Sequence, residues 1–169
     1  MNFPKIAILV LLVLICLIIL ICFALNYRTQ HSPAAEVFRN STVPSPAPEG
    51  LYKGSVNMKT TWLGKSFDAG NNSGINLFDN GKDHPVGKAY PFHSYIGQGN
   101  VDRGLQVFKI DYNTPQNPWY LRIILDEIVQ TSPDHYLGKL IVRPLPMVSI
   151  ALGYFELEKD LNFETNLRK

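Results

Sequence analysis

A chain of 169 residues, 46% of them hydrophobic, has room for one compact domain beside any membrane segment. Its formal net charge of +2 is spread along the sequence with no basic stripe interleaved with aromatics, which excludes nucleic acid as a partner. Both cysteines, Cys16 and Cys22, fall in one apolar run near the amino terminus, so the rest of the chain can rely on neither disulfides nor thiolate metal ligands.

After a flank of residues 1–5, residues Ile6 to Leu25 form that run without a single polar interruption. It has the roughly 20 residues that an α-helix needs to cross a bilayer. A secretory signal carries a shorter apolar stretch of about 7–15 residues and a small-x-small cleavage site, whereas this run closes on Phe23-Ala24-Leu25-Asn26-Tyr27. The segment 6–25 is therefore read as a retained single-pass transmembrane helix, with the lipid bilayer as a partner. Ile15 and Ile21 precede the cysteines, so no lipobox is present; both thiols read as lipid-facing, with acylation of Cys22 as the alternative. Lys5 on one side and Arg28 and Arg39 on the other leave the charge rule close to balanced. The sequons Asn40-Ser41-Thr42 and Asn71-Asn72-Ser73 fit a C-terminal domain outside the cytoplasm or in a lumen.

Residues 26–49 carry Pro33, Pro44, Pro46 and Pro48 among Ser, Ala and Thr. This composition predicts an extended linker, at about 3 Å per residue, holding the domain several nanometres from the bilayer. From 50 to 159 the pattern changes to short aromatic and β-branched runs separated by Gly, Asn, Asp and Pro, which predicts strands near 50–56, 59–67, 74–79, 90–97, 105–112, 119–130, 136–143 and 149–158. Asp79-Asn80-Gly81 and Ser132-Pro133-Asp134 supply turn chemistry. The fold class is thus all-β: an antiparallel meander of about eight strands closing as a barrel, behind one transmembrane helix. Residues 160–169 read as a polar, frayed tail. The stretch after Asn117-Pro118 fits a helix start as well as a strand; the strand is preferred because a hairpin into Tyr136–Arg143 then follows.

Thr60-Thr61-Trp62-Leu63-Gly64-Lys65-Ser66-Phe67-Asp68-Ala69-Gly70 resembles the Gly-x-Trp-x-Gly signature of small lipocalin-like β-domains, with Thr60 in place of the first glycine. Ile124–Ile128, Tyr136–Lys139 and Gly153–Glu158 resemble the late segments of such domains. The resemblance implies a calycin-type barrel that binds a ligand rather than a particular reaction, with Trp62 packed in the core.

Alternation places Phe108 and Ile110 on one strand face, and Leu140 and Val142 opposite Lys139 and Ile141. These four are expected to line an interior that is either a cavity for a small apolar ligand, such as a lipid or isoprenoid, or a filled core. A cavity of several hundred Å³ would favour a binder; a packed interior would favour a non-catalytic accessory or scaffolding domain with a protein partner. Glu127 shares a face with Leu121, Ile123, Leu125 and Val129, and a carboxylate there must be paired or have its pKa raised. It is either a polar anchor, or the acid or base of an isomerase or hydrolase in the cavity near Tyr112 or Tyr154. The alternatives are a bulge that turns it to solvent, or a structural pair with Arg122 or Arg143. His31, His84, His93 and His135 are scattered without metal-ligand spacing. The Asp79–Asp83 loop lacks the distal bidentate glutamate of a calcium loop, and no nucleophile elbow or phosphate loop is present. No metal or cofactor is expected.

Overall fold

The structure, a computed structural model, describes residues 3–81, 85–160 and 162–163. Part of the amino-terminal flank, most of the 160–169 tail, and Lys82, Asp83 and His84 of the loop compared above with a calcium site lie outside the described residues.

Helix α1 spans Phe3–Gln30, so the helix continues one turn and more beyond the end of the apolar run at Leu25 without a break. A second helix, α2, covers Pro33–Asn40, within the segment expected to be an extended linker. The physical reason is local. Ser32 is an N-cap whose side chain accepts a bond from the Ala35 N–H at 3.3 Å, and Pro33 stands in the first turn, where its missing N–H removes nothing. Glu36 in the first turn and Arg39 in the last suit the helix dipole. Ala35 and Phe38, one helical step apart on one face, are both 0% exposed. The same Ser-Pro pair that signals a linker here starts a docked helix.

Eight strands follow: β1 Gly50–Ser55, β2 Trp62–Asp68, β3 Ser73–Phe78, β4 Gly87–Gln98, β5 Gln106–Asp111, β6 Ile124–Ser132, β7 His135–Leu145 and β8 Val148–Glu158. Each pairs antiparallel with the next, and β8 pairs with β1, which closes the barrel. The sixth strand begins at Ile124 and not at 119. The residues before it form turns, with the Leu121 N–H bonded to Pro118 O and the Ile124 N–H to Leu121 O, both at 3.0 Å. Asn117 caps no helix; its side chain is buried and donates to Pro91 O and Tyr112 O at 2.8 Å.

Alternate residues point inward and fill the middle of the barrel. Tyr52, Phe67, Phe92, Phe108, Ile110, Ile128, Tyr136, Phe155 and Leu157 form one cluster, with Trp62 and Ile124 packed on it. Two glycines make this filling feasible. Gly64 has φ +146°, at a bulge after Trp62, and a Cβ there would lie 2.0 Å from Tyr52 O. A Cβ on Gly138 would lie 2.1 Å from the Phe155 ring, which stands edge-on to Trp62 at 5.5 Å. The stretch Trp62-Leu63-Gly64 is thus a structural element of the wall and core, and Trp62 packs as expected.

The helical arm covers the outside of the wall. Asn26 Oδ1 accepts the Ala151 N–H of β8 at 2.9 Å. Further along, Ala34 lies beside Leu137 and Glu156, and Phe38 packs with Val107, Val129 and Leu137. The arm therefore runs along β8 away from the β7–β8 hairpin. The apolar part of α1 lies on the hairpin side, together with the β1–β2, β3–β4 and β5–β6 connections, which share that end of the barrel by antiparallel topology.

Candidate functional site

Four polar side chains converge inside the apolar barrel. Lys65 is inward on β2 because it sits two residues before Phe67, and Asn76 is inward on β3. Asp126 is inward on β6 between Ile124 and Ile128, and Tyr112 follows Ile110 at the end of β5. Lys65 is 2% exposed and Asp126 3%, which puts an ion pair where charge is expensive unless fully paired. The Lys65 ammonium lies 3.0 Å from Asp126 Oδ2 and donates to Asn76 Oδ1 at 2.9 Å and to the Tyr112 hydroxyl. Tyr112 in turn donates to Asp126 Oδ2 at 3.1 Å, and Trp62 Nε1 donates to Asn76 Oδ1 at 3.1 Å. Asn76 Nδ2 closes the set, donating to Tyr90 O at 3.0 Å and Tyr112 Oη at 3.1 Å.

Four rings surround the ammonium, those of Tyr112, Phe155, Trp62 and Phe92, at 5.1 to 5.5 Å. Such cation–π contacts offset part of the lost hydration. Burial still dominates: it pulls the Lys65 pKa down, with Asp126 pulling the other way. Burial, and secondarily the Asp126 charge, pushes the Tyr112 phenol well up. Within this cluster one buried oxygen, Asp126 Oδ1, has no hydrogen-bond partner among the described residues, an exception to the general pairing of buried polar atoms.

Above this cluster a pocket of about 160 Å³ opens at the α1 end of the barrel. Phe78, Tyr90, Leu121, Ile124 and Leu140 line it as apolar and aromatic walls, and Asn76, Tyr112 and Asp126 supply its polar groups. A larger groove of about 410 Å³ lies outside the barrel, between α2 and the edges of β1, β7 and β8, with Lys53, Glu156 and Glu158 among its lining.

The residues singled out from sequence are not brought to one site. Phe108 (4% exposed) and Ile110 (0%) point inward as expected, but they are packed in the aromatic core and line no part of the mouth pocket. Leu140 does line it, and Val142, half-buried, pairs with Ile124. Glu127 is separated from them by the barrel wall. It is paired across strands with Lys109 and Lys139, on the face of the wall opposite to Asp126 and its partner Lys65. It is neither turned to solvent nor paired with Arg122 or Arg143. It is 0% exposed, accepts the Asn100 N–H at 2.6 Å and lies 3.7 Å from the Lys109 ammonium. Arg143 instead meets Asp111 at 2.7 Å. Burial raises the Glu127 pKa, with Asn100 and Lys109 acting against it. Its place beneath the β4–β5 loop makes it part of the wall's cladding, outside the mouth pocket.

Lys65, Asn76 and Asp126 escaped the sequence reading. The signal was present in Ile124-x-Asp126-x-Ile128, an apolar alternation with one carboxylate. The competing alternation Leu125-x-Glu127-x-Val129 draws equal notice until it is known that both faces of β6 are buried.

No family model matches the chain, and no curated protein or solved structure matches it at a significant level. Fold and site define the class: an eight-stranded closed antiparallel barrel behind a helix that, alone among the described residues, is long and apolar enough to cross a membrane.

Proposed function

We propose that this protein is a membrane-anchored, lipocalin-like binding domain whose mouth pocket takes a small apolar molecule bearing one polar, hydrogen-donating end. The observation that carries this reading is the combination of apolar walls with Asp126, a buried carboxylate whose Oδ1 is left without a partner. Buried acceptors are normally satisfied, and a hydroxyl or ammonium group on a ligand supplies what is missing. The volume of about 160 Å³ suits a single ring or the end of a longer chain, because an apolar cavity of about 150 Å³ accepts benzene. Enclosure of α1 in a bilayer and placement of the barrel outside the cytoplasm belong to the same reading. Both sequon asparagines, Asn40 and Asn71, are exposed, as glycan acceptors must be.

The test is a titration of the full-length protein in detergent with phenol and with benzene, followed by methyl NMR. Leu121, Ile124 and Leu140 are expected to shift with both. Phenol should bind about tenfold or more tightly, since a hydrogen bond to a charged group contributes about 1.5–3 kcal/mol. Leu140→Trp, which fills the pocket, should abolish both responses. If neither ligand moves these methyls, the second reading gains: an accessory domain with a filled barrel, which the aromatic packing around Phe108 favours.

A further inference from the structure

We infer that the α1 end of the barrel is seated in the bilayer surface, so that the loops around the mouth pocket form a lipid-contacting rim. The inference rests on the membrane-anchored reading above and specifies how the domain sits once anchored.

Two independent observations support it. The first is the distribution of exposed apolar side chains on loops. Met58 is 73% exposed, Trp119 78%, Tyr120 53%, Leu145 65%, Met147 94% and Val148 41%. All six belong to the β1–β2, β5–β6 and β7–β8 connections or their borders, at the end where the pocket opens. The connections at the opposite end, 69–72, 99–105 and 133–134, expose no large hydrophobic residue. Grouped exposure of this kind marks a contact surface, and tryptophan and tyrosine with their amphipathic rings suit the headgroup level of a bilayer.

The second observation fixes the occupant. Asn26, the first residue after the apolar run, is hydrogen-bonded to Ala151, three residues into β8 from Val148. Cys22, one turn earlier on the same helix face, is half-buried while its neighbours Ile21 and Phe23 are exposed. Three strand residues span roughly 10 Å, and the same distance back along α1 is about seven residues. The hairpin tip thus reaches below the polar boundary of the helix, beside side chains that lie in hydrocarbon when α1 spans a membrane. A protein partner for this rim would have to enter the lipid to reach it; the bilayer is already there.

Full-length protein with Cys16→Ala and Cys22→Ala, carrying Met147→Cys labelled with an environment-sensitive fluorophore, is reconstituted into phosphatidylcholine vesicles. Gly104→Cys at the far end serves as the aqueous reference; its Cβ meets nothing within 4 Å. The label at 147 should be blue-shifted relative to that at 104, quenched by brominated lipid, and several-fold less quenched by aqueous iodide. Intrinsic fluorescence of Trp119 in the unlabelled chain should show the same lipid quenching. A label at 147 as open to iodide as the one at 104 overturns the inference, and vesicle flotation tells this apart from loss of anchoring. Protein that floats with a wet rim refutes the seating alone, whereas protein that does not float refutes both. Shielding from iodide without quenching by brominated lipid assigns the rim to a second copy of the chain and also refutes it.

Discussion

Lys65 and Lys139 are both buried against aromatic rings, on opposite sides of the same barrel wall. Lys65 faces inward at 2% exposure, ringed by Trp62, Phe92, Tyr112 and Phe155 and paired with Asp126. Lys139 faces outward at 0% exposure, 4.1 Å from the Phe38 ring centroid and paired with Asp102. Burial pulls both pKa values down, and the paired carboxylate resists in each case. What differs is the cover. The strands enclose Lys65, so its cage opens only when the barrel does. A helix and a loop, through Phe38 and Asp102, enclose Lys139 from outside the strand ladder. Equal burial therefore need not mean equal coupling to global stability.

The largest effect should come from the inner lysine. Lys65→Met leaves Asp126 buried without its cation and should destabilise the protein by about 3–5 kcal/mol in chemical denaturation. Replacing both partners, Lys65→Met with Asp126→Leu, should recover most of that loss, because an apolar pair requires no desolvation of charge. The pH dependence should change as well. With its folded pKa depressed, Lys65 loses its proton before the unfolded chain does, so stability should rise with pH toward the ordinary lysine value of 10.5. That rise should be absent from Lys65→Met. A Lys139→Met variant as unstable as Lys65→Met would break the comparison.

A smaller effect is expected from the outer cover. Phe38→Ala removes a fully buried ring and should cost up to about 3 kcal/mol, the low end for phenylalanine truncation. The loss should appear as local release: hydrogen exchange should rise in α2 and at the outer positions of β6 and β7, with protection of the β2–β3 pairing unchanged. Loss of protection throughout the barrel would show that the arm is integral to the fold.

The smallest effect belongs to Glu127. Because burial raises its pKa, the folded protein holds this proton over a pH range in which the unfolded chain has lost it. Stability should accordingly fall slightly as pH rises from the ordinary glutamate value of 4.5. Glu127→Gln should remove that fall and leave phenol binding at the mouth pocket unchanged. A change in phenol affinity would reconnect Glu127 to the pocket and sharpen the two-sided picture into a coupled one.

The strand pattern was legible because alternation in runs such as Phe108-x-Ile110 and Leu140-x-Val142 is imposed by a wall with a buried side. The same logic failed at β6, where the outer face is buried too. Once Leu125, Val129 and Ile141 are all 0% exposed from outside, apolarity no longer tells in from out, and Glu127 takes the attention due to Asp126. The arm itself was illegible because its packing is tertiary. Ala35 and Phe38 are two apolar residues in a proline-rich stretch, and only the groove over Val107, Val129 and Leu137 gives them a purpose.

The junction between Asn26 and Ala151 has a consequence for how the domain meets other molecules. With that bond in place and α2 laid on the wall, the barrel has no slack with which to explore the aqueous phase. In the membrane-anchored reading its search is two-dimensional: it moves only as fast as its helix diffuses in the bilayer, and it samples only what is dissolved in the membrane or adsorbed on it. For the apolar ligand proposed above, local concentration at the surface, and not concentration in bulk water, would then set the occupancy of the pocket.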